Sequence, residues 1–361
     1  MWVSKLTAQD FRNFKNLQVN LENGINIVYG DNANGKTNFI EAIYFCAMGR
    51  SQRAGHDREL IRFGCQEAHL QAKIKVNVES KIDVHLFGEG KKKGIAIDHV
   101  PIKNLSQLYG LLLVVIFTPE DLKIVKAGPG ERRTFMDMEL CQLSKVYYHA
   151  LRQYYKALRQ RNNLLKAITK NRNLLDTLEV WDAPLCQYGT QIMTLRSAFV
   201  EEIGTLAAHV HNDITGGTEK LTLEYRPKVP ENFEEKLKKG VERDITLGST
   251  QNGIHKDDVA FTINGNDVRT YGSQGQQRTV ALSVKLAEVE LIKKRTGNTP
   301  VLLLDDVLSE LDEQRQKFLF NHIDGMQTVL TCTGVEDVLR RTTGNKNVLK
   351  MAKGEIDGLY C

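Results

Sequence analysis

The chain has 361 residues, of which 41% are hydrophobic and 26% charged, as in an ordinary globular protein with one large or two medium-sized domains. Its net charge of +5 permits a polyanionic partner without requiring one. No stretch approaches the ~20 apolar residues of a membrane span, and the first residues lack a signal-peptide pattern. The six scattered cysteines include no CxxC pair and favour reduced thiols. We therefore expect a cytoplasmic protein without a membrane partner.

The first third of the sequence predicts strands and one helix. Residues 24–29, rich in isoleucine, valine and tyrosine, predict a short strand, and residues 36–48 have apolar side chains at helical spacing. Residues 70–78 and 82–86 alternate apolar and polar side chains, which is the period of half-buried antiparallel strands. The glycine- and lysine-rich segment 88–94 predicts the tip of a hairpin.

The middle of the sequence predicts helices. Residues 131–170 and 174–211 have helical patterns, and from about residue 248 the pattern returns to strands, a helix and a buried strand. The sequence thus predicts an α/β domain that a mainly helical insertion interrupts. The expected boundaries give an N-terminal half at residues 1–118, a helical lobe at 119–245 and a C-terminal half at 246–361.

A phosphate-binding motif follows the first short strand. Residues Gly30 to Thr37 match GxxxxGK[ST] between a predicted strand and a predicted helix, which is the context that this motif requires. Backbone N–H groups of such a loop bind phosphate oxygens, its lysine reaches the β- and γ-phosphates, and its threonine hydroxyl ligates Mg²⁺. The motif predicts an ATP and magnesium site; the alternative is a glycine-rich turn with an incidental lysine. The residues assigned to the site are Gly30, Asp31, Asn32, Ala33, Asn34, Gly35, Lys36, Thr37 and Asn38.

An apolar run from Val301 to Leu304 ends in two carboxylates. A run that is apolar on both faces predicts a central parallel strand, and ligand sites in such sheets lie at the carboxyl ends of the strands. Asp305 is therefore expected to hold the magnesium through water, and Asp306 to orient or deprotonate the attacking water. The alternative is that one of these aspartates caps the helix that begins near Ser309.

A second candidate phosphate contact precedes an amphipathic helix that starts near residue 274. Ser273, Gly275 and Gln276 form a glycine-containing polar segment, and such segments at a helix N-terminus can bind anions. The alternative is a capping box, because Ser273 and Gln276 have the spacing S-x-x-Q.

Basic residues concentrate in one region of the chain. Residues 123–172 contain twelve Lys or Arg and three Asp or Glu, a local net charge of +9 against +5 for the whole chain. Their spacing places Arg152, Lys156 and Arg159 on one helix face, which suits contacts to DNA phosphates without sequence preference. Further candidates for DNA contacts are Lys91, Lys92, Lys93, Arg50 and Arg53. For each set the alternative is an ordinary solvated surface.

The order of these motifs resembles the ABC-type ATPases. Ser273 to Gln277 resembles their signature motif, and Ser309 to Asp312 resembles their D-loop. In that family the signature serine and glycine contact the γ-phosphate that the partner subunit holds. The resemblance implies an ABC-type ATPase head and an ATP-dependent homodimer that completes the active site. The chain departs from the family by having Asp306 where glutamate is common, and this shorter carboxylate implies slow hydrolysis. Thr331 to Thr333 stand at the position of the family's switch histidine, so either a threonine senses the γ-phosphate there or no residue does.

More detailed segments resemble the bacterial RecF family. They include Phe11 to Phe14, Gly49 to Arg53, Phe117 to Leu122, Gly128 to Arg133, Leu158 to Leu165 and His255 to Asp258. The resemblance covers the whole chain and implies an ATP-dependent protein of recombinational gap repair that binds duplex DNA near single-strand gaps. It also implies RecR and RecO as partners, help in loading RecA, and Arg12 as a nucleotide contact.

Two other classes of protein compete with this interpretation. A nucleotide-binding subunit of a transporter would need a shorter helical insertion and no basic cluster. A P-loop metabolic enzyme would leave the signature-like segment and residues 309–312 without a role, and would act as a monomer. ATP-dependent dimerisation separates the metabolic enzyme from the leading interpretation.

Overall fold

The computed structural model describes residues 1–76, 78–88, 91–229, 231–341 and 346–360. Its strands and helices follow in chain order: β1 (Trp2–Phe11), β2 (Phe14–Asn20), β3 (Ile25–Tyr29), α1 (Lys36–Met48), β4 (Glu67–Lys75), β5 (Glu79–Phe87), β6 (Gly94–Ile97), β7 (Val100–Pro101), β8 (Val114–Phe117), α2 (Leu122–Lys126), α3 (Pro129–Leu143), α4 (Lys145–Ile168), α5 (Glu179–Thr215), β9 (Leu221–Arg226), α6 (Phe233–Lys239), α7 (Val241–Leu247), β10 (Asp258–Ile263), β11 (Asn266–Asp267), α8 (Val268–Tyr271), α9 (Gln274–Thr296), β12 (Val301–Asp305), α10 (Glu313–His322), β13 (Thr328–Cys332), α11 (Glu336–Arg341), β14 (Lys346–Ala352) and β15 (Glu355–Tyr360).

A six-stranded sheet has the order β15-β14-β3-β13-β12-β8. Its strands from β14 to β8 are parallel to their neighbours, and β15 joins β14 antiparallel at one edge. Every residue of β8, β12 and β13 is buried, because these strands have neighbours on both faces. The apolar run before Asp305 is therefore a central parallel strand, as predicted.

A second sheet has the order β2-β1-β4-β5-β6-β7, and its neighbouring strands are antiparallel. Buried and more exposed residues alternate along β4 and β5, so the half-buried strands predicted there are confirmed. Helix α1 packs against strands of both sheets, which explains why nearly all of its residues are buried. The predicted hairpin tip includes Glu89 and Gly90, which lie outside the described residues.

The helical region comprises α3, α4 and α5 with a three-stranded sheet of order β11-β10-β9. The helix predicted over residues 131–170 is two helices, because the chain breaks at Ser144, whose Oγ accepts a hydrogen bond of 3.1 Å from Tyr147 N and caps α4. Tyr147 and Tyr154 are fully buried core residues of α4.

The chain folds into two compact units, one formed by Met1–Asp121 with Glu288–Cys361 and the other by Leu122–Ala287. The expected boundary at residue 245 thus differs from the observed one at residue 287. The physical reason is that β10 pairs with β9 along its length, from Asp258 opposite Arg226 to Ile263 opposite Leu221, so residues after 245 fold with the helical region. Within the described part of the chain, no helix combines the length and apolar character needed to cross a bilayer.

Candidate nucleotide site

The phosphate loop connects β3 to α1, and two of its glycines are required by space and by backbone conformation. Gly30 has a φ of 153°, and a Cβ there would lie 2.2 Å from the backbone oxygen of Met351. Gly35 has a φ of 108°, and a Cβ there would lie 2.6 Å from Asn13 Nδ2. Any other residue at these positions would be strained and would collide with its neighbours. The loop therefore has the close-packed glycine turns of a phosphate cradle.

The side chain of Lys36 folds back over this loop. Its Nζ donates hydrogen bonds of 2.6 Å to the backbone oxygen of Gly30 and 2.9 Å to that of Asp31. Lys36 is the first residue of α1, and the first N–H groups of a helix have no partner within it. An ammonium group and free helix N–H groups at the same loop form an electropositive site that suits phosphate.

Two predicted contact residues, Asn34 and Asn38, hold the loop in place. Asn13 Nδ2 donates to the backbone oxygen of Asn34 at 3.1 Å, and Asn38 Nδ2 donates to Asn13 Oδ1 at 2.8 Å. Asn13 thus fixes the loop from the β1–β2 turn. It was not among the predicted site residues, although it lies within the segment Phe11 to Phe14 that we singled out. The side chains of Asp31, Asn32 and Ala33 are exposed, and their contact with nucleotide stays a prediction.

The two predicted magnesium ligands lie together. Thr37 Oγ1 donates to Asp305 Oδ1 at 3.0 Å, which joins the start of α1 to the end of β12. Thr331 Oγ1, on the neighbouring β13, donates to the same oxygen at 2.9 Å. Burial raises the pKa of the Asp305 carboxyl, and the hydrogen bonds from Thr331 and Thr37 oppose that rise. A hydroxyl and a carboxylate at this spacing are the hard oxygen ligands that Mg²⁺ prefers, so the residues fit the ion.

Asp306 has an unusual backbone conformation for a residue other than glycine, with a φ of 53°. Its N–H donates to Thr331 Oγ1 at 3.0 Å, and its backbone oxygen accepts from Ser309 Oγ at 2.7 Å. Asp306 stands at the N-cap of the 3₁₀ turn Val307–Glu310, but its carboxylate makes no capping hydrogen bond there. The next helix, α10, begins at Glu313 and is capped by Asp312 Oδ1. Thr331, expected only to stand at the position of a switch histidine, joins the two aspartates through its hydroxyl.

Arg12 lies in a network around α1. Its guanidinium donates to both oxygens of Glu41, at 2.8 and 2.9 Å, and to the backbone oxygen of Glu59 at 3.1 Å. Glu41 is buried and also accepts a hydrogen bond of 2.5 Å from Ser51 Oγ. Arg12 is thus held by protein groups beside the phosphate loop, and its contact with nucleotide stays a prediction. Sequence reasoning missed Glu41, because a glutamate inside a helix gives no signal of its partner.

A small pocket beside Asp305 includes Thr37, Glu41, Gln52 and Arg53. The charge of Arg53 also opposes the rise in the Asp305 pKa that burial causes, which is consistent with a position near that carboxylate. Arg53 was predicted to contact DNA, and the structure places it beside the magnesium ligands. Arg50 is half-buried at the end of the preceding turn.

The signature-like segment forms the capping box that was the alternative to a phosphate contact. Ser273 N donates to Gln276 Oε1 at 2.8 Å, and Gln276 N donates to Ser273 Oγ at 3.2 Å. Ser273 is exposed, and Gly275 lies in the first turn of α9. A capping box and a phosphate contact are compatible, because the Ser273 oxygen accepts from Gln276 N and the hydroxyl proton is left for another acceptor.

The basic candidates differ in their surroundings. Arg152, Lys156 and Arg159 are exposed on α4, on the side away from its buried tyrosines, so the predicted shared face exists. Lys93 pairs with Asp57 at 2.9 Å, and Lys91 Nζ lies 5.6 Å from the centroid of the Phe87 ring. Lys92 is exposed. Which of these residues contact DNA stays a prediction.

The segment from His255 to Asp258 is structural. His255 Nδ1 accepts from Tyr154 Oη at 2.8 Å, since His255 Nε2 donates to the backbone oxygen of Thr250 at 2.9 Å. Asp258 pairs with Arg132 at 2.6 Å. Asp257 is fully buried, and its carboxylate accepts from Arg196 Nη1 at 3.1 Å. Among the described residues no group of three or more His, Cys, Asp or Glu could hold a metal ion.

The sequence and the fold both resemble those of known proteins. The sequence matches the RecF/RecN/SMC N-terminal domain family over residues 2–355. It is 49% identical over 359 residues to the DNA replication and repair protein RecF of Lachnoclostridium phytofermentans, covering 99% of each chain. A solved structure of the recombination mediator protein RecF-ATP in the RecFOR pathway matches with a TM-score of 0.92 and 34% identity, over 100% of this chain and 98% of that one. An Smc head domain from Pyrococcus furiosus shares the fold, with a TM-score of 0.56 and 16% identity over 99% of this chain and 95% of that one. The predicted fold class is confirmed.

Proposed function

The chain belongs to the RecF/RecN/SMC N-terminal domain family and, within it, to the RecF proteins of DNA replication and repair, and from that membership we propose that it is an ATP-driven switch on DNA. In this proposal, ATP with Mg²⁺ closes two copies of the chain on duplex DNA beside a single-strand gap. Slow, DNA-stimulated hydrolysis then separates the copies. The switch acts in the cytoplasm with RecR and RecO, and it helps to load RecA.

One observation supports the nucleotide chemistry most directly: Thr37 Oγ1 and Asp305 Oδ1 are 3.0 Å apart at the end of the phosphate loop. In the proposed complex these two residues hold Mg²⁺, which neutralises charge on the phosphate oxygens when it is bound. Lys36 exchanges its hydrogen bonds to the loop for bonds to the phosphates. Asp306, directly after the strand, orients the attacking water and accepts its proton.

The proposed role of Ser273 requires a second copy of the chain. Its oxygen accepts from Gln276 N at 3.2 Å, so its hydroxyl proton is available for a phosphate oxygen on the partner's nucleotide. The N-terminal end of α9 adds partial positive charge at the same point. Each copy then completes the other's site, so that closure of the dimer and assembly of the active site are one event.

For DNA we propose the face of α4 that presents Arg152, Lys156 and Arg159. These side chains are exposed, whereas Arg161 on the same helix is fully buried between carboxylates. An exposed basic face binds backbone phosphates without reading bases, which suits a protein that recognises a gap and no particular sequence.

Sedimentation velocity with and without ATP–Mg²⁺ and a gapped duplex tests the proposal. We expect wild type to form a DNA-bound dimer only with nucleotide, because the proposed contact of Ser273 is with the nucleotide that the partner chain holds. Ser273→Arg should bind ATP yet stay monomeric, since a bulky cation replaces the hydroxyl. Thr205→Arg, on an exposed part of α5, introduces the same side chain away from the loop and should behave as wild type. A chain that stays monomeric and ignores DNA in all conditions would instead indicate a P-loop metabolic enzyme.

The part played by hydrolysis has a separate test. Asp306→Asn removes the group that accepts the proton of water and leaves the phosphate loop intact. We expect this variant to dimerise with ATP and to stay on DNA at least tenfold longer than wild type. The measurement is dissociation of fluorescent gapped duplex after dilution. Equal dissociation rates for the two proteins would show that hydrolysis does not time DNA release.

A further inference from the structure

Both the oxygen and the nitrogen of the Gln276 side-chain amide make hydrogen bonds. Its Oε1 accepts from Ser273 N at 2.8 Å, and its Nε2 donates to Glu219 Oε1 at 2.8 Å. An amide has a donor end and an acceptor end, and a half-turn about its last bond exchanges them. A carboxylate can only accept, so Glu219 admits only the NH₂ end of Gln276. The amide oxygen therefore faces Ser273 N, which is the orientation that the capping box needs.

The carboxylate of Glu219 is in turn positioned by a buried histidine. Its second oxygen, Oε2, lies 3.0 Å from Nε2 of His211, which is fully buried in the last turns of α5. The other ring nitrogen of His211 lies 3.2 Å from Ser283 Oγ, and Ser283 is a buried residue of α9. The side chain of Glu219 is 21% exposed, so this carboxylate links a buried histidine to a surface loop.

The backbone brings Glu219 to this place through a tight reversal. Helix α5 ends at Thr215, and Gly216 and Gly217 follow with φ of 62° and 79°, a left-handed conformation that favours glycine. The chain turns back, so that Glu219 precedes β9 and faces His211, eight positions earlier. A fixed turn at the end of a 37-residue helix thus determines where the carboxylate stands.

We propose that Glu219, supported by His211, is the positioning residue of the segment Gly272 to Gln277, which leads into the first turn of α9. By fixing the amide of Gln276, it keeps Ser273 in the conformation in which the hydroxyl proton points away from the capping box. The inference rests on the proposed function of Ser273, and it adds residues that neither the motif nor the family resemblance assigns. It also predicts that the end of α5 determines how readily two chains close.

Two measurements on the full chain test this inference. The first is amide hydrogen exchange of residues 272–277 without nucleotide. In Glu219→Ala the amide of Gln276 is free to turn, so we expect the Ser273 and Gln276 amides to exchange about tenfold faster, the worth of one well-formed hydrogen bond. The second is the dissociation constant of the dimer with ATP–Mg²⁺, which we expect to rise about tenfold while ATP binding to the monomer is unchanged.

Three further variants complete the test. Glu219→Gln can offer Gln276 either an oxygen or an NH₂ group, so it no longer fixes the orientation of the Gln276 amide and should show part of the loss in both properties. Gln276→Glu places a second carboxylate against Glu219. It should therefore show the same faster amide exchange and weaker dimer as Glu219→Ala, although a different residue has been changed. Glu224→Ala removes an exposed carboxylate of β9 that pairs with Arg226, and it should match wild type in both measurements.

The outcomes are distinguishable. Wild-type exchange in Glu219→Ala overturns the inference, and so does faster exchange with an unchanged dimer, because the loop would then need no positioning. If wild type itself shows no ATP-dependent dimer, the proposed function fails, and the inference about assembly fails with it. Wild-type dimerisation that is lost in Ser273→Arg but kept in Glu219→Ala leaves the proposed function standing and removes only the role of Glu219.

Discussion

At the scale of single residues, the hydroxyl of Thr331 joins the carboxylate of Asp305 to the backbone N–H of Asp306. It donates to Asp305 Oδ1 and accepts from Asp306 N, at 2.9 and 3.0 Å. In Thr331→Val, which has nearly the same shape, Asp305 loses a donor and the N–H of Asp306 loses its acceptor. Since an unsatisfied buried group costs about 1–3 kcal/mol, we expect steady-state ATP hydrolysis to fall about tenfold or more.

The control for this prediction is Thr331→Ser, which keeps the hydroxyl and should retain most of the activity. Both variants should bind ATP, because neither alters the phosphate loop. If Thr331→Val hydrolysed ATP at the wild-type rate, the hydroxyl would be needed only for packing.

His255 gives the stability of the fold a dependence on pH. Burial lowers the pKa of His255 from its ordinary 6.5 to about 4. His255 therefore binds a proton below pH 6.5 in the unfolded chain but only below about pH 4 in the folded chain. The contribution of neutral His255 to the free energy of unfolding is fully present above pH 6.5. It is lost as the pH falls to 4, by about 3 kcal/mol in total.

Urea unfolding between pH 7.5 and 4.5 measures this effect. His255→Gln cannot titrate, so we expect it to be less stable than wild type at pH 7.5 and to lose less stability on acidification. His209→Gln, at an exposed position of α5, should keep the wild-type slope. Parallel pH profiles for wild type and His255→Gln would contradict the assignment.

At the scale of elements, α4 is tied to α5 and α7 through a buried charge. Arg161 is fully buried, and it pairs with Asp182 at 2.5 Å and with Asp244 at 2.6 Å. Removing Asp244 takes the carboxylate acceptor away from Arg161 Nη1 and from Gln251 N, inside the protein where water does not replace it. We expect Asp244→Ala to lower the free energy of unfolding by about 3–5 kcal/mol, measured by denaturant titration with circular dichroism.

The matched control lies on the same helix. Glu242 pairs with Arg172 at 2.9 Å, but both side chains are more than half exposed. Such surface pairs contribute about 0–1 kcal/mol, so Glu242→Ala should change stability by no more than that. A similar loss in both variants would mean that burial does not distinguish the two pairs.

The elements that the sequence predicted well are those whose signal is local. The limits of α1 follow from helical spacing, and β12 follows from its apolar run. The break at Ser144 has only a weak local signal, because basic and apolar residues continue on both sides of it. The place of residues 246–287 depends on the pairing of β10 with β9, and a pairing between distant segments leaves no mark in either one.

The residues of the candidate site also differ in whether a local sequence signal could identify them. Gly30, Lys36, Thr37 and Asp305 belong to motifs whose spacing encodes their chemistry, and the structure brings Thr37 and Asp305 together. Asn13, Glu41 and Thr331 act through hydrogen bonds to residues of those motifs. A polar residue inside a helix or strand has many possible partners, so its role emerges only when the fold supplies one.

At the scale of the whole molecule, excess positive charge should control how strongly DNA binding depends on salt. Replacing Arg152, Lys156 and Arg159 with serine removes three exposed cations from α4. Because each phosphate contact releases about one counterion, we expect the slope of log affinity against log salt to fall by about 2–3. The measurement is fluorescence anisotropy of a gapped duplex with ATP–Mg²⁺ at several salt concentrations.

A second triple variant controls for the change in net charge. Lys236, Lys238 and Lys239 are exposed on α6, where Lys238 and Lys239 are paired with glutamates. Replacing them with serine removes the same charge and should change the slope by less than one unit. If this set weakened binding and the α4 set did not, the DNA would contact a different face.

The strand order of the parallel sheet has a consequence for how the protein is made. Strand β3, which leads into the phosphate loop, pairs with β13 and β14, and β13 begins at Thr328. While the ribosome synthesises the first three hundred residues, roughly fifteen seconds or more of elongation, β3 has neither neighbour. A nascent chain therefore cannot close its phosphate loop, whose Gly30 packs against Met351, or bind ATP. We therefore expect the proposed switch to become competent only after β13 and β14 have left the ribosome, so that an incomplete chain does not capture a full-length copy through its nucleotide.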